Sequence, residues 1–109
     1  MTTTVVSLAT ERGEGGARFV HRSTIADGDT LKVIGLPVDR PVRVGVYPNS
    51  SVTVSSTGSS EASINAGTEN ANEWPDGAVS ADTVATLEPG STGIIITASG
   101  GTCPVDISA

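Results

Sequence analysis

The chain has 109 residues with an apolar share of 37%, which is the size of one compact domain with a thin aliphatic core. Its formal net charge is −6 and no Lys or Arg follows Arg43, so nucleic-acid binding is disfavoured because it needs a basic surface. A single cysteine, Cys103, excludes an intrachain disulfide and favours folding in a reducing cytosol. Neither a secretory signal nor a membrane-spanning stretch is expected from the hydropathy pattern.

The first residues differ from the rest of the chain. The stretch "TTTVVSLA" is a candidate first strand, but "ERGEGG" is charged and glycine-rich and offers little to pack. We therefore predict a flexible N-terminal arm or linker over residues 1–16, followed by one β domain over residues 17–109.

Period-2 alternation recurs from about residue 30 to the C-terminus and predicts strands. It is visible in "LKV", "PVRVGVY", "SVTVSS", "ASIN" and "PVDIS", while "GIIITAS" is apolar on both faces and predicts a central strand. No window keeps helical spacing without Gly, Pro or Ser/Thr interrupting it. Turn pairs such as Asp27-Gly28 and Pro89-Gly90 separate the strands. This pattern predicts an all-β fold, a single β-sandwich or jelly-roll-like domain of about 8–10 short antiparallel strands.

The stretches "SSTGSSEAS" and "INAGTENANEWPDG" are predicted to be long polar loops. The second carries the only tryptophan, Trp74. Its ring could cover the open end of the thin core, anchor a protein interface, or stack on a sugar. A sugar site is the weakest of the three, because no second aromatic residue lies nearby in the sequence.

No residue pattern predicts catalysis, a metal site or a cofactor site. Asp27 and Asp29 flank a glycine and are better explained by a tight turn than by calcium, which needs six or more oxygen ligands. His21 has no evident nucleophile, carboxylate or metal-ligand partner, and is interpreted as a strand residue on a polar face. Cys103 precedes a proline at a strand start and is predicted to be a small buried residue. We therefore expect a protein that is not an enzyme.

Basic and aromatic residues interleave only in "ARFVHRS". Arg and aromatic side chains are enriched at interface hot spots. Arg18, Phe19 and Arg22, together with Trp74, are therefore the candidate interface residues, although Phe19 is equally suited to the core.

In overall style the chain resembles the small virion proteins of tailed bacteriophages, especially capsid decoration (cement) proteins. The resemblance lies in "MTTTVVSLATERGEGGARFV", "IADGDTLKVIGLPVDRPVRVGVYPNSSVTVSS" and "TVATLEPGSTGIIITASGG". It implies subunits that form a homo-oligomer, a dimer or trimer, and dock on the major capsid protein or other virion proteins. The protein would be made in the host cytoplasm and would sit on the outer capsid surface, where it stabilises the shell without binding nucleic acid or membrane. The alternative is an Ig-like or carbohydrate-binding adhesion module of a tail fibre or cell surface.

Overall fold

The computed structural model describes residues 2–11 and 19–109, and within these it describes residues 74–77 by their backbone alone. The described residues form strands, one 3-10 helix and one α-helix. In chain order they are β1 Thr3–Ser7, the 3-10 helix Leu8–Thr10, β2 Val20–Ile25, β3 Thr30–Ile34, β4 Val42–Val46, β5 Ser51–Thr57, α1 Glu61–Ala66, β6 Ala71–Val79, β7 Thr83–Leu87, β8 Gly93–Ser99 and β9 Cys103–Ser108.

The strands form two sheets that pack face to face. The five-stranded sheet has the order β1-β3-β8-β5-β6, and the four-stranded sheet has the order β2-β9-β4-β7. The predicted all-β sandwich is thus confirmed. Aliphatic side chains from both inner faces form one core, made of Leu8, Ile25, Leu31, Val33, Leu36, Val42, Val44, Val46, Val52, Val54, Ile94, Ile96, Ala98, Cys103, Val105 and Ile107.

The alternation in the sequence accounts for this core, because successive side chains on a strand point to opposite faces. Val44 and Val46 of β4 and Val52 and Val54 of β5 are fully buried, whereas Arg43 is exposed. β8 pairs with β3 on one side and β5 on the other, as its two apolar faces predicted. Cys103 begins β9 and is buried, as expected.

The predicted N-terminal arm differs from the structure in its described part. β1 pairs with β3 over five residues, and Leu8 of the following 3-10 helix is fully buried in the core. Residues 3–10 therefore belong to the sandwich, because their apolar side chains complete one end of it. The pairing of β1 with β3 is parallel, whereas antiparallel strands were predicted throughout. Residues 12–18, which include the rest of the predicted arm, lie outside the described residues.

The stretch "ASIN", predicted to be a strand, lies in α1. The Ser60 side chain accepts a hydrogen bond from the Ser63 backbone N–H at 3.2 Å, and Gly67 ends the helix with a φ of 76°. Ile64 is 1% exposed and packs on the outer face of the five-stranded sheet at Gly93. A Cβ at position 93 would lie 2.8 Å from Ile64 Cδ1, so Gly93 allows the Ile64 side chain to approach the strand closely.

The predicted polar loop around Trp74 is also different, because residues 71–79 form the edge strand β6. β6 pairs with β5, with a register shift between the pairs Thr53↔Ala78 and Ser55↔Glu73. Edge strands need only one apolar face or none, so this polar sequence carries little strand signal. The backbone of Trp74 lies within the shifted segment, and its side chain is outside what the structure describes.

Candidate docking face and a polar cleft

The outer face of the four-stranded sheet is exposed to solvent, and we call it the docking face. It consists of the side chains that alternate with the buried ones in β2, β9, β4 and β7. These are Val20, Arg22, Thr24, Pro104, Asp106, Ser108, Arg43, Gly45, Val84 and Thr86, with Tyr47 directly after β4. The β2–β9 register places Arg22 opposite Asp106, and the β4–β9 register places Gly45 on the other side of Asp106.

Asp106 is the centre of a polar cluster on this face. One carboxylate oxygen accepts a hydrogen bond from Arg43 Nη1, and the other accepts one from Tyr47 Oη at 2.9 Å. Gly45 lies between Arg43 and Tyr47 on β4 and leaves the space that the carboxylate occupies. A Cβ at position 45 would lie 2.5 Å from Asp106 Oδ1 and 2.7 Å from Tyr47 Oη. Tyr47 and Asp106 together raise the pKa of Arg43 above its ordinary value through hydrogen bonds and the carboxylate charge.

Arg22 differs from the other described cations. Lys32 pairs with Glu69, Arg40 with Asp39 and Arg43 with Asp106. Arg22 is exposed and, among the residues that the structure describes, pairs with no carboxylate. The docking face therefore presents one uncommitted guanidinium beside an ordered Arg–Asp–Tyr cluster.

The predicted interface residues do not lie together. Arg22 is on the docking face, whereas Phe19 is half-buried and packs against the core. Trp74 belongs by its backbone to β6 of the other sheet, and Arg18 lies outside the described residues. Tyr47 and Asp106 were missed as site residues. The alternation in "PVRVGVY" and "PVDIS" did place Arg43 and Asp106 opposite the apolar side chains, but only the strand register shows that they meet.

A polar cleft of about 230 Å³ lies between the sheets at the edge formed by β1 and β2. Its lining combines hydroxyl, imidazole and carboxylate groups with aliphatic side chains. The lining residues are Thr4, Val6, His21, Ser23, Thr24, Ile25, Ala26, Asp29, Thr30 and Leu31.

His21, predicted to be a strand residue on a polar face, lies in this cleft on the inner side of β2. It pairs with the buried Ile107 of β9, and its side chain is 11% exposed. Its Nδ1 lies 3.2 Å from Glu11 Oε1, and its Nε2 lies 3.0 Å from Ser23 Oγ. Ser23 follows His21 by two residues on β2, so both side chains project from the same face of the strand. The structure thus brings a carboxylate and a hydroxyl to the two ring nitrogens, which sequence spacing did not reveal.

A second charged cluster holds the segment after α1 against the five-stranded sheet. Lys32 Nζ lies 2.5 Å from Glu69 Oε1 and donates to the Ile64 carbonyl at 3.5 Å. The two side chains are 13% and 8% exposed. The hydrogen bond from Lys32 lowers the pKa of Glu69 despite its burial. Glu69 Oε2 is buried without a hydrogen-bond partner among the described residues.

The two aspartates weighed as calcium ligands act instead on the backbone. Asp27 Oδ1 accepts a hydrogen bond from the Gly100 N–H, and Asp29 Oδ1 accepts one from the Thr2 N–H, both at 2.8 Å. Gly28 between them has a φ of 79°, as the predicted turn requires. Within residues 2–11 and 19–109, no group of three or more His, Cys, Asp and Glu side chains is placed to hold a metal ion. The same residues include no helix of sufficient length and hydropathy to span a membrane.

No known protein-family model and no curated protein sequence matches the chain. Solved structures with similar folds were found, all at low identity. The capsular polysaccharide assembling protein CapF from Staphylococcus aureus aligns with a TM-score of 0.52 at 14% identity, over 90% of this chain and 24% of CapF. PliG, a periplasmic inhibitor of g-type lysozyme from Aeromonas hydrophila, aligns with a TM-score of 0.48 at 14% identity, over 98% and 95% of the two chains.

Peruvianin-I, a cysteine peptidase from Thevetia peruviana latex, aligns with a TM-score of 0.49 at 9% identity, over 82% of this chain and 47% of the peptidase. The chain thus spans less than half the length of Peruvianin-I and of CapF. At these identities the similarity concerns the fold alone.

Proposed function

We propose that this chain is a virion structural protein, a capsid decoration protein that docks on coat-protein subunits and stabilises the shell. The observation that carries the proposal is the docking face, with the uncommitted Arg22 beside the Arg43–Asp106–Tyr47 cluster. Arg and Tyr are among the residues that most often supply the binding energy of an interface. The sequence resemblance to decoration proteins supports the same assignment.

Charge indicates the kind of coat-protein surface that would fit. Among its charged side chains the docking face has Arg22, Arg43 and Asp106, so it is basic on balance in a chain whose net charge is −6. An acidic patch on the coat protein would complement this face. The rest of the surface of this protein is acidic and would repel such a patch. Complementary charge of this kind sets the orientation of docking and raises the association rate.

We also propose that the protein forms a homodimer through the outer edge of β7, which pairs with no strand among the described residues. The Tyr47 N–H donates a hydrogen bond to the Pro104 carbonyl on β9. Because the backbone N–H and C=O groups of successive residues point to opposite sides of a strand, those of Val42, Val44 and Val46 point towards β7. The partners of these valines on β7 are Leu87, Ala85 and Thr83. The backbone groups of Val84 and Thr86 therefore point to the open edge.

β7 lacks the features that usually prevent edge pairing. Its sequence "TVATL" contains no charge and no proline, and Val84 is 52% exposed. Of the other edge strands, β2 contains Arg22, and β6 contains Glu73, Pro75 and Asp76, whereas β1, like β7, contains neither a charge nor a proline. If two antiparallel copies of β7 pair with the two-fold axis at Ala85, Val84 of each copy lies opposite Thr86 of the other. Each pair exchanges two main-chain hydrogen bonds, which joins the two four-stranded sheets into one.

The docking proposal is tested with undecorated shells assembled from the major capsid protein of the phage whose genome encodes this chain, which the proposal requires to exist. Binding is measured by co-sedimentation as a function of protein and salt concentration. Arg22→Glu is expected to weaken binding at least tenfold, and binding by the unaltered protein is expected to fall as salt rises. Arg40→Glu is the matched control, because it makes the same charge change outside the docking face. Equal binding by both variants, or no binding by the unaltered protein, would refute the proposal.

A further inference from the structure

Two side chains of the polar cleft, His21 and Ser23, form a group with Glu11 that docking does not use. Glu11 Oε1, the His21 imidazole and Ser23 Oγ form a continuous chain, with separations of 3.2 Å at Nδ1 and 3.0 Å at Nε2. Glu11 comes from the segment after the 3-10 helix, and the other two come from β2. This is the order of groups that activates a serine, namely carboxylate, imidazole and hydroxyl.

The carboxylate decides which ring nitrogen carries the proton. Because ionised Glu11 only accepts hydrogen bonds, it favours the tautomer in which Nδ1 carries the hydrogen. Nε2 is then the unprotonated nitrogen and accepts the hydrogen bond from the Ser23 hydroxyl. His21 is in this way arranged as a general base, and Glu11 positions it.

The edge of β2 that faces away from β9 pairs with no other described strand, and it supplies a donor next to the serine. Phe19 and Ala109 exchange two main-chain hydrogen bonds, each of 3.0 Å. In an antiparallel ladder every second residue pair is bonded in this way, so Ser23 and Val105 are also a hydrogen-bonded pair. The backbone N–H of Thr24, the next residue, therefore points away from β9 to the free edge. The N–H of the residue after a nucleophile is a common donor to the oxyanion of an acyl-transfer intermediate.

We propose that Ser23 is the nucleophile of an ester-hydrolysing site in this cleft, with His21 as its general base and Glu11 as the positioning residue. This activity goes beyond docking and does not depend on it. The volume of about 230 Å³ is below the range of sites for drug-sized ligands, so the site suits short acyl esters. Val6, Ile25 and Leu31 in the lining provide an apolar wall for the acyl chain.

In the first step Ser23 Oγ forms a bond to the ester carbonyl carbon as its proton moves to His21 Nε2. The carbonyl oxygen becomes an oxyanion beside the Thr24 N–H. Its electron pair then returns, the bond from carbon to the alkoxy oxygen breaks, and His21 gives the proton to the leaving alcohol. Water attacks the acyl-serine with His21 again as the base, which releases the carboxylic acid and restores the Ser23 hydroxyl.

The test uses the full chain with p-nitrophenyl acetate as substrate and a fluorophosphonate as a covalent probe. The expected result is phosphonylation at Ser23, located by peptide mass spectrometry. Ser23→Ala is expected to abolish labelling and to lower p-nitrophenol release at least 100-fold. Ser55→Ala is the matched control, because Ser55 lies on β5 of the other sheet and is also half-buried.

Two further variants separate a catalytic arrangement from a structural one. Glu11→Gln is expected to lower kcat with little change in KM, and to alter the pH profile because the tautomer is no longer fixed. His21→Gln is expected to leave Ser23 unlabelled. If this variant does not fold, labelling of the unaltered protein still decides the question. Absence of the label from Ser23, or unchanged hydrolysis by Ser23→Ala, would overturn the proposal.

Discussion

The ion pair between Lys32 and Glu69 gives a stability prediction whose size follows from burial. Removing the ammonium by Lys32→Met leaves the Glu69 carboxylate, whose side chain is 8% exposed, without its ion-pair partner. Breaking a buried pair by removing one partner typically costs about 3–5 kcal/mol. At about 4 °C or more per kcal/mol for a domain near this size, the midpoint of thermal unfolding should fall by at least about 12 °C.

The pH dependence tests the cause of this loss. The pKa of Glu69 is lowered in the folded state. The contribution of the ionised carboxylate to folding stability is therefore complete above the ordinary carboxyl pKa, and it is lost as the pH falls through the pKa of the folded state. In Lys32→Met the burial of the Glu69 carboxyl, which raises its pKa, outweighs the hydrogen bond from the Glu69 backbone, which lowers it. Protonation then relieves the unpaired charge as pH falls. The stability difference between the two proteins should therefore narrow from pH 7 to pH 4.

The assay is urea unfolding followed by circular dichroism at both pH values. Lys32→Met/Glu69→Leu should be within about 1 kcal/mol of the unaltered protein or more stable, because no charge is left buried. Arg40→Met should change stability by less than about 1 kcal/mol, since its partner Asp39 is 69% exposed. A loss below about 1 kcal/mol for Lys32→Met, or an equal loss at both pH values, would show that this reasoning is wrong.

Two other substitutions test the docking face and the dimer edge. Gly45→Ala should destabilise by about 1–3 kcal/mol in urea unfolding and weaken shell binding, because its Cβ displaces Asp106 and Tyr47. Gly58→Ala, with no atom within 4 Å of its Cβ, is the control, and a stabilising Gly45→Ala would contradict the packing argument. Thr86→Pro removes a backbone N–H at the edge of β7 and leaves the hydrogen bonds to β4 intact. The dimer should therefore become a monomer, as measured by light scattering. Thr86→Val keeps that N–H and should remain dimeric, and a dimer in both variants would exclude the β7 edge.

The sandwich was predictable where packing follows alternation. The valines of β4 and β5, the apolar faces of β8 and the turns at Gly28 and Gly90 are all local features of the sequence. α1 was not predicted, because its six residues have a cap at each end but only one buried side chain, Ile64. Its packing depends on Gly93, which follows it by nearly thirty residues.

The two sites depend even more on register than the fold does. Asp106 meets Arg43 across 63 residues of sequence, and Glu11 meets His21 across the segment 12–18. Neither contact could be predicted from a sequence motif, because no characteristic spacing along the chain links the two residues of either pair. The missing information was the order of strands in the four-stranded sheet. That order places β9 between β2 and β4, and it places β2 at an edge of the sheet.

Pairing through β7 would also affect the strength of the proposed docking. Two antiparallel strands in one sheet are related by a two-fold axis perpendicular to that sheet, so the docking faces of both copies would point in the same direction. The two β2 strands would be seven strand spacings of ~4.8 Å apart, about 34 Å. A dimer could then place both Arg22 residues on one shell surface. The second contact would form at high effective concentration, so a modest docking face would suffice for stable decoration. On this reasoning Thr86→Pro weakens shell binding more than Thr86→Val, because both variants change the same docking-face side chain and only the proline removes the dimer.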